Sequence, residues 1–119
     1  MYNNDLFNKS NIFDKKADIL RYEILYQYGG VYIDTDFLCL KNIEKLLENL
    51  DGFSAYESKD FIAIGIMGFK KHDDFLKKII QYIEYNSIIN YKENIPNQTG
   101  PVFFTNMINE FIINNKKYK

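Results

Sequence analysis

The chain has 119 residues, 46% of them hydrophobic and 17% aromatic, with a formal net charge of −1. That is enough apolar material for one packed domain, and too even a charge balance to favour nucleic acid or an anionic membrane as partner. The single cysteine, Cys39, excludes an internal disulfide and the paired-cysteine metal spacings, and is expected to be buried and inert in a reducing compartment.

Residues 1–11 are polar and Asn-rich, lack the apolar run of a secretory leader, and read as a loop or fraying end. Phe13, Ala17, Leu20, Ile24 and Tyr28 then recur at spacings of three and four, which predicts an amphipathic helix with that apolar stripe inward. Asp14 suits its positive N-terminal turn, and Gly29-Gly30 supplies a left-handed stop. Val31-Tyr32-Ile33 reads as a short buried strand ending in Asp34-Thr35-Asp36, with Phe37 to Leu40 continuing extended.

Asn42 is placed to cap a helix through Ile43, Leu46, Leu47 and Leu50, followed by a turn at Asp51-Gly52. Phe53 to Tyr56 and Ile62 to Phe69 read as strands, and Gly65 and Gly68 imply bends or close backbone approach. Asp73 or Asp74 opens a helix carrying Phe75, Leu76, Ile79, Ile80 and Ile83, and Asn86 to Asn97 reads as a polar connection. Thr99-Gly100-Pro101 starts a last helix with Phe104, Met107, Ile108, Phe111 and Ile112, proline being tolerated in a first turn. Helices alternating with about four short strands give one α/β domain over residues 1–119. The longest apolar stretch, Phe61 to Phe69, is too short to span a bilayer, so the expected location is cytoplasmic, or peripheral at the inner membrane surface.

Asp34-Thr35-Asp36 carries the chemistry. In extended chain, residues i and i+2 point to one side, so both carboxylates can face one cation while Thr35 turns away. Hard ions such as Mn²⁺ or Mg²⁺ take carboxylate oxygens, commonly one or two from protein plus substrate phosphates. An isolated Asp-x-Asp is usually a solvated loop. Here it follows a glycine turn and an apolar strand, and acids at the C-terminal end of a strand sit where open α/β sheets bind ligands. On the preceding helix stands Arg21, the one arginine among 15 basic residues. It falls about 60° from the centre of the apolar stripe and Asp18 about 120°. Arg21 is then a border residue reaching a cleft, or merely half of an i,i+3 ion pair worth a few tenths of a kcal/mol. His72 reads as a surface residue, and Gly100-Pro101 as a helix start more than an acceptor wall.

The run from Ala17-Asp18 through Arg21-Tyr22, Leu25, Gly29-Gly30 and Tyr32 to Asp34 and Asp36 resembles the DXD sugar-transferase region of glycosyltransferase family 32. It is also similar to the glucosyltransferase domains of large clostridial toxins. That resemblance implies a GT-A-like, Rossmann-like core, and a retaining transferase that moves a hexose from a nucleotide-sugar, UDP-linked, to a saccharide or other acceptor. It implies that Asp18 and Arg21 hold donor-sugar hydroxyls near the reacting bond and that Tyr32 lies by the ribose. It further implies that Asp34 meets the ribose or sugar and the ion's water shell, and that Asp36 ligates Mn²⁺ or Mg²⁺ directly. A metal that neutralises the departing diphosphate removes the need for a protein proton donor.

Family members open with an apolar strand containing Ile-Pro and Trp that forms the base pocket, and close with His or Ser-Trp residues that complete the metal shell. This chain has no Trp and no such strand before Phe13, and ends in a run from Asn114 to Lys119. The core is therefore expected to be partial, a fragment or shortened form. The alternative reading is a non-catalytic relative that binds sugar or protein through the same face.

Overall fold

The helical periodicity after Phe13 is realised as a 16-residue helix, α2 (Phe13–Tyr28), preceded by a short α1 (Asn4–Lys9). These elements belong to a computed structural model that describes residues 1–42, 44–48, 52–56, 58–92 and 94–114. Gly29 stops α2 at φ 71° and returns its N–H to the Leu25 carbonyl, and Gly30 follows at φ 112°. Both angles lie where a β-carbon is penalised, so the glycine pair is a conformational requirement. The chain then enters β1 (Gly30–Ile33), α3 (Glu44–Leu47), β2 (Gly52–Tyr56) and β3 (Ile62–Phe69). Three helices close it: α4 (Asp74–Ile89), α5 (Ile95–Gln98) and α6 (Pro101–Asn114).

The described residues form a mixed α/β unit around a three-stranded sheet in the order β1-β3-β2, with β3 antiparallel to both neighbours. Three strands appear where about four were expected, because Phe37 to Leu40 pairs with no strand among the described residues. The β2–β3 ladder is irregular. Consecutive residues Ser54 and Ala55 pair with Met67 and Ala63, so Ile64, Gly65 and Ile66 are passed over on that side. The other side remains engaged, with Ile33 opposite Ile66 and the Asp34 N–H donating to the Gly65 carbonyl at 2.8 Å.

One apolar core joins Ile19, Tyr22 and Leu25 of α2 to Ile64 and Met67 of β3, Leu76, Ile79 and Ile83 of α4, and Phe103 and Phe104 of α6. This corrects the expected stripe. Phe13 is 82% exposed and Tyr28 70%, and Leu20 and Ile24 are also exposed, while Asp18, Ile19, Arg21, Tyr22 and Leu25 are buried. Apolar residues occur all round α2, so periodicity defined two candidate faces and packing chose the other one.

The N-terminal segment is not a fraying end. The buried Glu23 carboxylate accepts from the Tyr2 and Asn3 N–H groups and from Asn3 Nδ2, which also donates to the Ile80 carbonyl. Nor is Asn86 to Asn97 only a connection. Helix α4 runs on to Ile89 and α5 follows, with Asn86 Nδ2 donating to the carbonyls of Asn97 and Gln98.

Helix starts follow their caps. Asp73 Oδ1 accepts from the Phe75 and Leu76 N–H groups, Asn42 Oδ1 from the Glu44 N–H, and Pro101 opens α6. Ile43, Leu50 and Asp51 of the expected helix and turn lie outside the described residues. Cys39 is exposed, against expectation, because its segment is covered by no described element. No described helix is long and apolar enough to cross a membrane.

Candidate active site

Two turns of α2, the end of β1 and the irregular stretch of β3 converge on a cavity of about 540 Å³. Asp14, Asp18 and Arg21 line it from α2, Asp34, Asp36 and Phe37 from beyond β1, Ile64, Gly65 and Ile66 from β3, and Ile95 and Pro101 from the last two helices. The burial of α2's polar turn explains the arrangement. Asp18 and Arg21 are 7% and 8% exposed, so their polar atoms must find partners inside the protein.

Arg21 is anchored mostly by backbone. Its Nη1 donates to the Ile64 carbonyl at 2.7 Å and its Nε to the Ala17 carbonyl at 3.4 Å. Nη2 stands between two carboxylates, 3.6 Å from Asp18 Oδ1 and 3.8 Å from Asp34 Oδ1. The guanidinium lies over the Tyr32 ring, 4.4 Å from its centroid, a cation–π arrangement with a partly buried ring. The Tyr32 hydroxyl in turn donates to Asp34 Oδ1 at 2.8 Å. Arg21 is therefore more than half of a helix-surface pair: it ties α2, β1 and β3 together at one point.

Asp18 is held from the far end of the chain. The Thr99 hydroxyl donates to Asp18 Oδ2 at 2.8 Å, and the fully buried Tyr22 hydroxyl donates to the Thr99 carbonyl at 2.8 Å. Burial pushes the Asp18 carboxyl up to about 6, with the Thr99 hydrogen bond and Arg21 pulling it back and Asp14 and Asp34 adding to the rise. The Tyr32 phenol is also raised, first by burial and then by its bond to the Asp34 carboxylate.

Asp34-Thr35-Asp36 is not extended as expected. Strand β1 ends at Ile33, and the Phe37 N–H donates to the Asp34 carbonyl at 3.2 Å, which makes the motif a turn. Both carboxylates still line the cavity, Asp34 with 38% of its side chain exposed and Asp36 exposed. Tyr32 stands behind that lining, under Arg21. His72 is at the surface, its ring 5.2 Å from Tyr26, and takes no part.

Four members of the site were not singled out from sequence. Asp14 had a signal, since it lies four residues before Asp18 and therefore on the same helix face. Gly65 had one too, a glycine inside a strand implying close backbone approach, though nothing tied it to Asp34, whereas Thr99 and the Ile64 carbonyl reach the site through tertiary packing.

Two carboxyl groups, Asp18 and Asp34, thus flank one guanidinium, and Asp14 and Asp36 line the same cavity. No group of three or more metal-ligating side chains is close enough to hold an ion alone among the described residues. What the lining offers is two adjacent carboxylates open to a ligand, the donor set suited to a hard cation that brings its own phosphate oxygens.

Residues 2–52 match the model of the glycosyltransferase sugar-binding region containing the DXD motif. An uncharacterized glycosyltransferase of Acanthamoeba polyphaga mimivirus is 33% identical over 116 residues, 93% of this chain and 45% of the relative. Inositol phosphoceramide mannosyltransferase 3 of Schizosaccharomyces pombe is 32% identical over 94 residues, 76% of this chain and 26% of the relative. Among solved structures, the PaToxG glycosyltransferase superposes with a TM-score of 0.73 at 20% identity, over 92% of this chain and 39% of that one, a likeness of fold. The chain spans less than half the length of these proteins. The residues that line the cavity from α2 and from beyond β1, Asp14 to Phe37, all lie inside the stretch that matches the DXD-containing sugar-binding region of the glycosyltransferases.

Proposed function

We propose that this chain forms the donor-site floor of a metal-dependent glycosyltransferase that moves a hexose from a UDP-linked donor to a saccharide or other acceptor with retention. The observation that carries the reading is the connected set Asp18, Arg21, Tyr32 and Asp34, assembled beside Asp36 in one cavity. In this reading Asp36 ligates Mn²⁺ or Mg²⁺ directly, and Asp34 meets the ion's water shell and the donor's ribose or sugar. Asp18 and Arg21 receive sugar hydroxyls, the planar guanidinium also facing charge that develops toward the diphosphate. The ion supplies neutralisation of the leaving diphosphate. The name of the fission yeast relative, a mannosyltransferase, supports hexose transfer as the reaction class.

Isothermal titration of Mn²⁺ with and without UDP tests this. Manganese binding should be strengthened by UDP, weakened most by Asp36→Asn, and weakened less by Asp34→Asn. Identical heats in all three proteins would dispose of the metal site and leave the same face as a sugar- or protein-binding surface.

A further inference from the structure

Gly65 sits where the β3 ladder departs from β2, directly across from the first acid of the motif. Its backbone is ordinary, because its φ lies outside the left-handed region that favours glycine. The requirement for glycine is one of space. A β-carbon placed on Gly65 would stand 2.7 Å from Asp34 Oδ2 and 3.2 Å from the Phe37 ring. Real β-carbons essentially never come within 3.0 Å of another heavy atom, so the Asp34 carboxylate or the strand would have to move, while the Phe37 ring would have to give only by a few tenths of an ångström.

Asp34 has its carboxylate open to solvent on one side but tied on the other. Its N–H is bonded to the Gly65 carbonyl at 2.8 Å, its Oδ1 accepts from the Tyr32 hydroxyl at 2.8 Å, and Arg21 Nη2 lies 3.8 Å from the same oxygen. A shift of the carboxylate away from β3 would break the Tyr32 bond or change its separation from Arg21. The same short stretch supplies the Ile64 carbonyl that fixes Arg21 Nη1. Strand irregularities re-aim neighbouring groups, and this one aims at both an acid and a guanidinium.

We infer that Gly65 is a positioning residue of the donor site: its missing β-carbon is the space that sets the Asp34 carboxylate against Tyr32 and Arg21. The assignment rests on the donor-site reading above, and its test separates the two.

A double-mutant cycle between Gly65→Ala and Asp34→Ala is measured first by thermal melting, without ligand. Gly65→Ala alone should lower the melting temperature by several degrees or prevent folding. In the Asp34→Ala background the same change should be neutral or stabilising, since alanine at a permissive glycine position reduces unfolded-chain entropy. Equal losses in both backgrounds, an unchanged melting temperature for Gly65→Ala alone, or a double variant that fails to fold would overturn the assignment. UDP-dependent Mn²⁺ affinity is the second readout. If the single variant folds, its affinity should fall about tenfold or more, as supporting residues of metal sites commonly show. Wild-type affinity in that variant would also overturn it. A wild-type chain that binds no Mn²⁺ with UDP would sink the donor-site reading, and the melting cycle would still decide what Gly65 does.

Discussion

Asp18 shows how one buried side chain can be costly to the fold once it ionises. Its carboxyl lies 7% exposed with one hydroxyl donor and an arginine at ion-pair distance, and burial outweighs both, pushing the group up from 3.8 to about 6. The sign of the linkage follows. Between those values the folded chain holds a proton that the unfolded chain has lost, so the Asp18 contribution to stability is full below about pH 4 and declines as pH rises through about 6. Asp18→Asn, which cannot ionise, should therefore gain melting temperature relative to wild type as pH rises from about 4 to about 7. Paired thermal melts across that range check it, and a constant difference would show that ionisation of Asp18 costs the fold nothing. On the donor-site reading, sugar hydroxyls donating to the ionised carboxylate would offset that penalty.

Helix α2 is the element on which fold and site meet, and it has two apolar faces. The inner one, Ile19, Tyr22 and Leu25, enters the core, with Tyr22 stacked on Phe104 at 6.2 Å. The outer one, Phe13, Leu20, Ile24 and Tyr28, is left to solvent by the described residues. Ile19→Ala removes a fully buried side chain and should cost about 2–5 kcal/mol, the usual range for emptying a core position. Leu20→Ala should change stability by no more than about 0.5 kcal/mol, as surface substitutions do. Denaturant unfolding of the two variants compares the faces directly, and the reverse order would restore the stripe first drawn from spacing. The sequence offered both faces because 3.6-residue periodicity marks a surface without naming its partner. Partners from β3, α4 and α6 chose between them, and in doing so they buried Asp18 and Arg21, placed by the stripe at its border and beyond.

At the scale of the molecule, the described residues leave Asp34 with 38% of its side chain open, which on the donor-site reading makes them the floor of a site. Efficient transfer requires that water be kept from the reacting sugar. The 119-residue chain should accordingly release sugar from UDP-hexoses in Mn²⁺ slowly and mainly by hydrolysis, while a longer protein bearing the same region should transfer. A release assay with several nucleotide-sugars on both proteins distinguishes these outcomes, and robust transfer by the short chain alone would show that this floor suffices. Local signals in the sequence determined a good deal of the result. Gly29-Gly30 ended α2, Asp73 and Pro101 opened their helices, and the spacing from Asp18 to Asp36 pointed to the family. Each of these depends on neighbours within a turn or on a fixed run of residues, so it can be read along the chain. The tertiary structure alone decided which face of α2 turned inward, that the Asp34 motif is a turn, and that Thr99, Ile64 and Gly65 complete the site. Thr99 meets Asp18 across 81 residues and Ile64 meets Arg21 across 43. Contacts at that separation leave no period or spacing in the sequence, because they arise from the closing of the core, where every buried polar atom must find whichever partner the packing brings within reach.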